Sequence, residues 1–80
     1  MVARTALKDG PHPVDVHVGQ RLRMRRTLLG MSQGKVADAL GNKYQQIQKF
    51  EGSTNRIGPS GLLALSQILH VPVSFFFEDM

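Results

Sequence analysis

The side chains best suited to specific hydrogen bonding lie in a short amphipathic segment, residues 44–50. Its apolar residues are Ile47 and Phe50, three positions apart, and its polar residues are Gln45, Gln46, Gln48 and Lys49. At 100° per residue, Gln45 and Lys49 lie opposite Ile47. A glutamine amide matches the paired donor and acceptor of adenine, and a lysine ammonium matches the acceptors of guanine. The pattern indicates a base-reading surface, with an ordinary solvated helix surface as the alternative.

The sequence contains no comparable pattern for catalysis or for metal binding. The chain contains no cysteine, and its three histidines, His12, His17 and His70, are too scattered to form a recognisable metal site. No Ser-His-Asp arrangement is present, and no pair of carboxylates lies near a histidine. The sequence therefore predicts a protein that is not an enzyme and that holds no metal or cofactor.

Positive charge is concentrated in the middle of the chain. The formal net charge is +4, and four arginines fall within residues 21–26, followed by three lysines against one aspartate in residues 27–50. Clustered charge of one sign indicates a polyanionic partner, either nucleic acid or an anionic lipid surface. A solvated basic helix face remains an alternative.

The 80-residue chain is long enough for one small domain. Gly10, Pro11 and Pro13 predict a flexible arm over residues 1–14, before a folded domain over residues 15–80. Apolar periodicity predicts five helices, over residues 15–29, 33–40 and 44–50, from near Pro59, and over 73–77. No apolar run reaches the roughly 18 residues of a membrane span, and no strand pattern is visible. The fold class is therefore all-α, and we expect no membrane partner.

The second and third predicted helices meet the steric needs of a helix-turn-helix. Ala37 is small where the helices cross, Gly41 occupies the turn, and Ile47 is a buried anchor of the second helix in the pair. Such a pair lays its second helix in the major groove of DNA. With these positions included, residues 16–78 resemble the phage-repressor family of helix-turn-helix proteins, the Cro/CI-type or XRE-like domains. The motifs in register are Val18-Gly19, Arg26, Ser32-Gln33, Glu51, Asn55-Arg56-Ile57 and Val71-Pro72-Val73-Ser74-Phe75.

The resemblance implies a compact five-helix, lambda-repressor-like domain with the helix-turn-helix at helices 2 and 3. Three positions depart from the family pattern: Gly34, Asn42 and Lys43 stand where Glu, an aliphatic residue and a Ser or Thr cap are usual. Asn42 could itself cap helix 3, which would shift the start of that helix by one residue.

The resemblance also assigns expected roles. The expected base-reading residues are Tyr44, Gln45, Gln46 and Lys49, and the expected phosphate-binding residues are Gln33, Lys43, Asn55 and Arg56. Arg26 and Glu51 are expected to form a structural ion pair, with Arg25 as an alternative partner for the carboxylate. A ring that covers the core is the alternative role for Tyr44, and a plain N-terminal residue of a capped helix is the alternative for Gln33. Simple solvation is the alternative for the other expected DNA-contacting residues.

These expectations favour a sequence-specific regulator of transcription, most simply a repressor, that binds a near-palindromic double-stranded DNA operator as a homodimer. The expected dimer surface is the C-terminal region, with Leu63, Phe75, Phe76 and Phe77. Such a protein would act in the cytoplasm, on the nucleoid. The alternative function is an antitoxin-like interaction module that masks a partner protein and regulates its own expression.

Overall fold

The computed structural model describes residues 12–80 and folds them into four α-helices and one 3₁₀ helix, with no strand among these residues. The α-helices are α1, Pro13–Leu28; α2, Gln33–Leu40; α3, Tyr44–Glu51; and α4, Pro59–Leu69, and the 3₁₀ helix is Val73–Phe77. The all-α prediction is confirmed. The fifth predicted helix has the tighter 3₁₀ form, which is common in pieces this short.

Helix α1 begins two residues before the predicted start. Nδ1 of His12 accepts a hydrogen bond from the backbone N–H of Val14 at 3.0 Å, so His12 caps the helix, and Pro13 occupies the first turn, where it fits. Residues 1–11 of the predicted arm lie outside the described residues. At the other end Gly30 turns with φ of 71°. Leu29 is exposed there and does not join the buried stripe of Val18 and Leu22, because the helix ends at Leu28.

Helices α2 and α3 pack on each other and are joined by a three-residue turn. Oγ of Ser32 caps α2 by accepting from the N–H of Lys35 at 3.0 Å. Gly41 ends the helix in the left-handed conformation, with φ of 78°, and its N–H donates to the carbonyl of Asp38. A residue with a Cβ would be strained at that φ, so glycine fits the turn.

One hydrophobic core joins all five helices. Its fully buried side chains include Leu22 of α1, Val36 of α2, Ile47 of α3, Leu65 of α4 and Phe76 of the 3₁₀ helix. No described helix is long and apolar enough to cross a bilayer, and no three metal-ligating side chains come together in residues 12–80.

The burial of Phe76 corrects the predicted dimer surface. Phe76 has no exposed area, so it cannot contact a second copy. Phe75 is half-buried and lies under the guanidinium of Arg21, whose Cζ is 4.0 Å from the ring centroid. The exposed members of the predicted set are Leu63, at 54%, and Phe77, at 38%.

Candidate nucleic-acid interface

Helix α3 is anchored by its apolar side and presents its polar side to solvent. Ile47 is fully buried and Phe50 nearly so, and together they fix the rotation of the helix about its axis. That rotation leaves Gln45 and Lys49 exposed, as the 100° spacing predicts, with Gln46 half-buried. The polar residues are thus held on a fixed element and do not contribute to the core.

Four of the predicted DNA-contacting residues line one open depression beside α3. Its lining is Gly41, Asn42, Lys43, Gln45, Gln46 and Lys49. Two ammonium groups and three amides therefore lie along a short stretch of surface. Tyr44 is outside this lining but is 52% exposed at the first residue of α3, so its ring is available for contact.

The start of α3 is where the apolar periodicity predicts it. Lys43 occupies the N-cap position and makes no side-chain cap, while the backbone N–H of Asn42 donates to the carbonyl of Ala37 at 2.9 Å. The predicted capping role of Asn42 is therefore wrong, because that residue completes the end of α2. Lys43 keeps its ammonium free of any cap contact with α3.

Arg26 and Glu51 form a bidentate ion pair between α1 and the end of α3. Nε of Arg26 donates to Oε2 of Glu51 at 2.6 Å, and Nη2 donates to Oε1 at 3.0 Å. The side chains are only 13% and 4% exposed. The hydrogen bond to Glu51 is the largest effect on the pKa of Arg26 and raises it; burial opposes the rise, and the charge of the carboxylate adds to it. Arg25 does not contact Glu51; its Nε donates to the carbonyl of Leu69.

Gln33 adds a third contact to the same carboxylate. Its Nε2 donates to Oε1 of Glu51 at 3.1 Å, which ties the first residue of α2 to the last residue of α3. The two helices of the helix-turn-helix are therefore braced at the ends far from their turn. Gln33 also lines a second depression, whose other lining residues are Arg23, Arg26, Gln48, Glu51 and Gly52.

The arginine run contributes less free charge than the sequence indicates. Nε of Arg21 donates to the carbonyl of Phe75 at 2.9 Å, and its guanidinium pairs with Glu78 and Asp79. Arg25 and Arg26 also have intramolecular partners. Three of the four arginines in residues 21–26 thus hold the fold together, a use that the charge count alone cannot reveal.

Asn55 and Arg56 are placed apart from the depression beside α3. Nε of Arg56 lies 3.0 Å from Oδ2 of Asp15 in the first turn of α1, and both Asn55 and Arg56 line a separate, mainly apolar depression near Phe77. Arg56 remains 45% exposed. The structure therefore brings together Lys43, Gln45, Gln46 and Lys49, and separately brings Gln33 to the Arg26 and Glu51 pair.

Two exposed residues in the second depression were given no site role by the sequence. The sequence indicated Arg23 only as one member of a basic run, and it indicated Gln48 only as a residue that flanks the polar side of α3. Their shared position depends on how α1 crosses α3, which no local spacing encodes. The exposure of Gln48 on the polar side of α3 was the one available signal.

Comparison with known proteins agrees with the helix-turn-helix arrangement of α2 and α3. The helix-turn-helix family model, HTH_3, matches residues 22–76. An uncharacterized HTH-type transcriptional regulator of Sinorhizobium medicae is 62% identical over 72 residues, covering 90% of this chain and 52% of that protein. A transcriptional regulator in the ATPase CF(0) region of Rhodospirillum rubrum is 48% identical over 69 residues, covering 86% of this chain and 64% of that protein. The chain thus spans about half to two thirds of these relatives.

Two solved structures share the fold. The restriction-modification controller protein C.AhdI of Aeromonas hydrophila superposes with a TM-score of 0.78 at 27% identity, over 82% of this chain and 100% of that one. The P22 c2 repressor, in complex with synthetic operator 9T, superposes with a TM-score of 0.72 at 27% identity, over 79% of this chain and 96% of that one.

Proposed function

Since this chain belongs to the helix-turn-helix family, we propose that it binds double-stranded DNA with α3 in the major groove and thereby regulates transcription, most simply as a repressor. The observation that carries the proposal is the orientation of α3. Ile47 is fully buried while Gln45 and Lys49 are exposed on the opposite side, so the amide and ammonium groups project from a rigidly anchored helix. No catalytic step is part of this role.

The exposed side of α3 reads the bases. Gln45 and Gln46 supply amides for adenine, Lys49 supplies an ammonium for guanine, and the ring of Tyr44 reaches a thymine methyl group. Phosphates are bound by Lys43 and by the amide atoms of Gln33 that Glu51 leaves free. Asn55 and Arg56 bind phosphate at the edge of the interface, with Arg56 exchanging part of its contact to Asp15.

We also propose that two copies bind a near-palindromic operator. The exposed apolar side chains of Leu63 and Phe77 supply the contact between copies, in place of the larger set expected from the sequence. The likeness to the P22 c2 repressor, whose structure includes a synthetic operator, supports operator binding by this fold. Such a regulator would work on the nucleoid in the cytoplasm.

Selection of bound duplexes from a random pool, followed by affinity measurements, tests the proposal. The selected duplex is compared with a scrambled duplex of the same composition at two or more salt concentrations. We expect the selected duplex to bind at least about 10³-fold more tightly. The logarithm of affinity should fall with the logarithm of salt concentration, with a slope near −0.9 for each neutralised phosphate. Equal affinity for the two duplexes would contradict sequence-specific regulation.

A further inference from the structure

Arg23 differs from the other arginines of α1 because the described fold does not use it. Arg21, Arg25 and Arg26 each donate hydrogen bonds to another part of the domain. Arg23 is exposed and makes no hydrogen bond or ion pair with any residue from 12 to 80. With respect to residues 12–80, its guanidinium charge is therefore available to a ligand.

The side chain of Arg23 borders the flank of α3 that carries Gln48. It lines the second depression together with Gln33 and the exposed Gln48. Glu51 also lines this depression, but both of its oxygens already accept hydrogen bonds, from Arg26 and from Gln33. Two arginines therefore face one neutralised carboxylate, and the available charge at the depression is positive.

The position of this depression relative to α3 determines which group it could meet. Gln46 and Gln48 are two residues apart, so they point about 200° apart around the helix and mark its opposite flanks. An α-helix with its side chains is about 10–12 Å wide, and the major groove is about 12 Å wide. A helix seated in the groove thus brings each flank close to a different phosphate backbone. The Lys43 depression lies on the Gln46 flank, and the Arg23 depression lies on the Gln48 flank.

From this arrangement we infer that Arg23, with Gln48 beside it, binds a backbone phosphate of the DNA strand on the Gln48 flank of α3. A guanidinium can donate two parallel hydrogen bonds to phosphate oxygens, and the amide of Gln48 adds a neutral donor. This contact rests on the proposed function and deepens it, because it extends the interface from the helix-turn-helix to α1. Arg23 orients the domain on the duplex and reads no base.

The salt dependence of binding tests the contact. The variants are Arg23→Ala, Arg23→Lys and, as a control, Gln20→Ala, which removes an exposed polar side chain about one turn earlier on α1. Affinity is measured over a salt series with the selected duplex and with a scrambled duplex. For Arg23→Ala we expect a slope about 0.9 shallower for each bound copy and equal weakening on both duplexes. Arg23→Lys should restore the slope, and Gln20→Ala should match the unaltered chain.

Neutral methylphosphonate groups, placed one at a time in the selected duplex, locate the contact. One position on the Gln48 flank of each half-site should weaken the unaltered chain and have no further effect on Arg23→Ala. An unchanged slope in Arg23→Ala, or additive losses at every phosphate, would overturn the inference. Equal affinity of the unaltered chain for both duplexes would instead overturn sequence specificity, and the slope would still decide the role of Arg23. Absence of binding to either duplex would overturn both.

Discussion

At the scale of single residues, the side chain of Glu51 joins three helices. The residue ends α3, pairs with Arg26 of α1 and accepts from Gln33 of α2. Because its side chain is 4% exposed, water cannot replace a lost partner. Removal of one charge from a buried pair leaves the other uncompensated, which costs more than the pair itself contributes.

Replacement of Glu51 by glutamine keeps the size of the side chain and removes its charge. We expect Glu51→Gln to lower the free energy of unfolding by about 3–5 kcal/mol, because the guanidinium of Arg26 stays buried without its counter-charge. Urea unfolding measures the loss. The control is Arg56→Gln, which breaks the more exposed pair with Asp15 and should cost about 1 kcal/mol or less. Equal losses in the two variants would show that the Glu51 pair has no special structural role.

The raised pKa of Arg26 sets the sign of its pH dependence. A cation whose pKa is higher in the folded state than in the unfolded state stabilises the fold below the unfolded pKa, and that contribution is lost only as pH rises through the folded value. Both values lie far above neutrality. The stability difference between the unaltered chain and Glu51→Gln should therefore hold steady from about pH 7 to pH 9. A difference that shrinks over this range in urea titrations would contradict the assignment.

Lys49 and Lys43 line the same depression but have different proposed roles. Lys49→Ala should remove about 1–3 kcal/mol of discrimination at one base pair, because the lost ammonium reads guanine acceptors. Lys43→Ala should weaken binding equally across sequences and make the salt slope about 0.9 shallower for each bound copy. Repeating the duplex selection with each variant measures the change in base preference. A selection profile for Lys49→Ala identical to that of the unaltered chain would exclude base reading by this residue.

At the scale of elements, the seating of α3 depends on how closely α1 approaches its C-terminal end. Gly19 marks that approach: a Cβ at this position would lie 2.5 Å from the carbonyl oxygen of Phe50 and 3.1 Å from that of Glu51. Both are backbone atoms and cannot move aside alone. The same crossing aligns Arg26 with Glu51, so the approach at Gly19 and the ion pair support one arrangement.

A pair of glycine substitutions tests this close approach. Gly19→Ala should destabilise the domain by about 1–3 kcal/mol, the usual cost of overpacking, despite the better helix propensity of alanine. Gly34→Ala is the matched control, because Gly34 also lies in a helix but a Cβ there meets only Oγ of Ser32 at 3.8 Å. It should raise stability by up to about 1 kcal/mol. Thermal unfolding followed by circular dichroism distinguishes these opposite shifts, and stabilisation by both would contradict the packing argument.

The elements were largely predictable from the sequence because their signals are local. Ser32 and Gly41 bound α2, and the positions of Ile47 and Phe50 alone predict which side of α3 is buried. The partners of the arginines were not predictable, because Arg21 and Arg25 bond to backbone carbonyls of Phe75 and Leu69, more than forty residues away. Every residue has a backbone carbonyl, so residue type does not indicate which carbonyl accepts a hydrogen bond. The same limit applied to the three consecutive phenylalanines, whose different burial depends on the twist of the 3₁₀ helix.

At the scale of the whole molecule, the dimensions of the domain are compatible with the proposed binding of two copies to one operator. The domain measures 35 × 25 × 20 Å. Half-sites one helical turn apart are separated by about 34–36 Å, so copies whose long dimension follows the DNA axis reach each other. Leu63 of α4 and Phe77 of the 3₁₀ helix are exposed apolar side chains available for that contact.

Leu63→Asp tests the proposed dimer with one substitution. A two-fold interface contains each residue twice, so a single change places two carboxylates in the contact and repels the copies from both sides. We expect sedimentation velocity to show a dimer for the unaltered chain and a monomer for Leu63→Asp. Affinity for a duplex with two half-sites should fall about 10²-fold or more, toward that for one half-site, because the second binding event is no longer intramolecular.

The matched control is Met24→Asp, which places the same charge at an apolar residue of α1 with similar exposure, 48% against 54%. Met24 lines a depression with Leu28, and Leu63 is not part of that lining, so this variant should remain dimeric and keep its affinity for the two half-sites. Dissociation by both variants to the same extent would place the interface elsewhere or attribute the effect to charge alone. A monomeric unaltered chain that still binds two half-sites cooperatively would show that DNA, and not the Leu63 surface, brings the copies together.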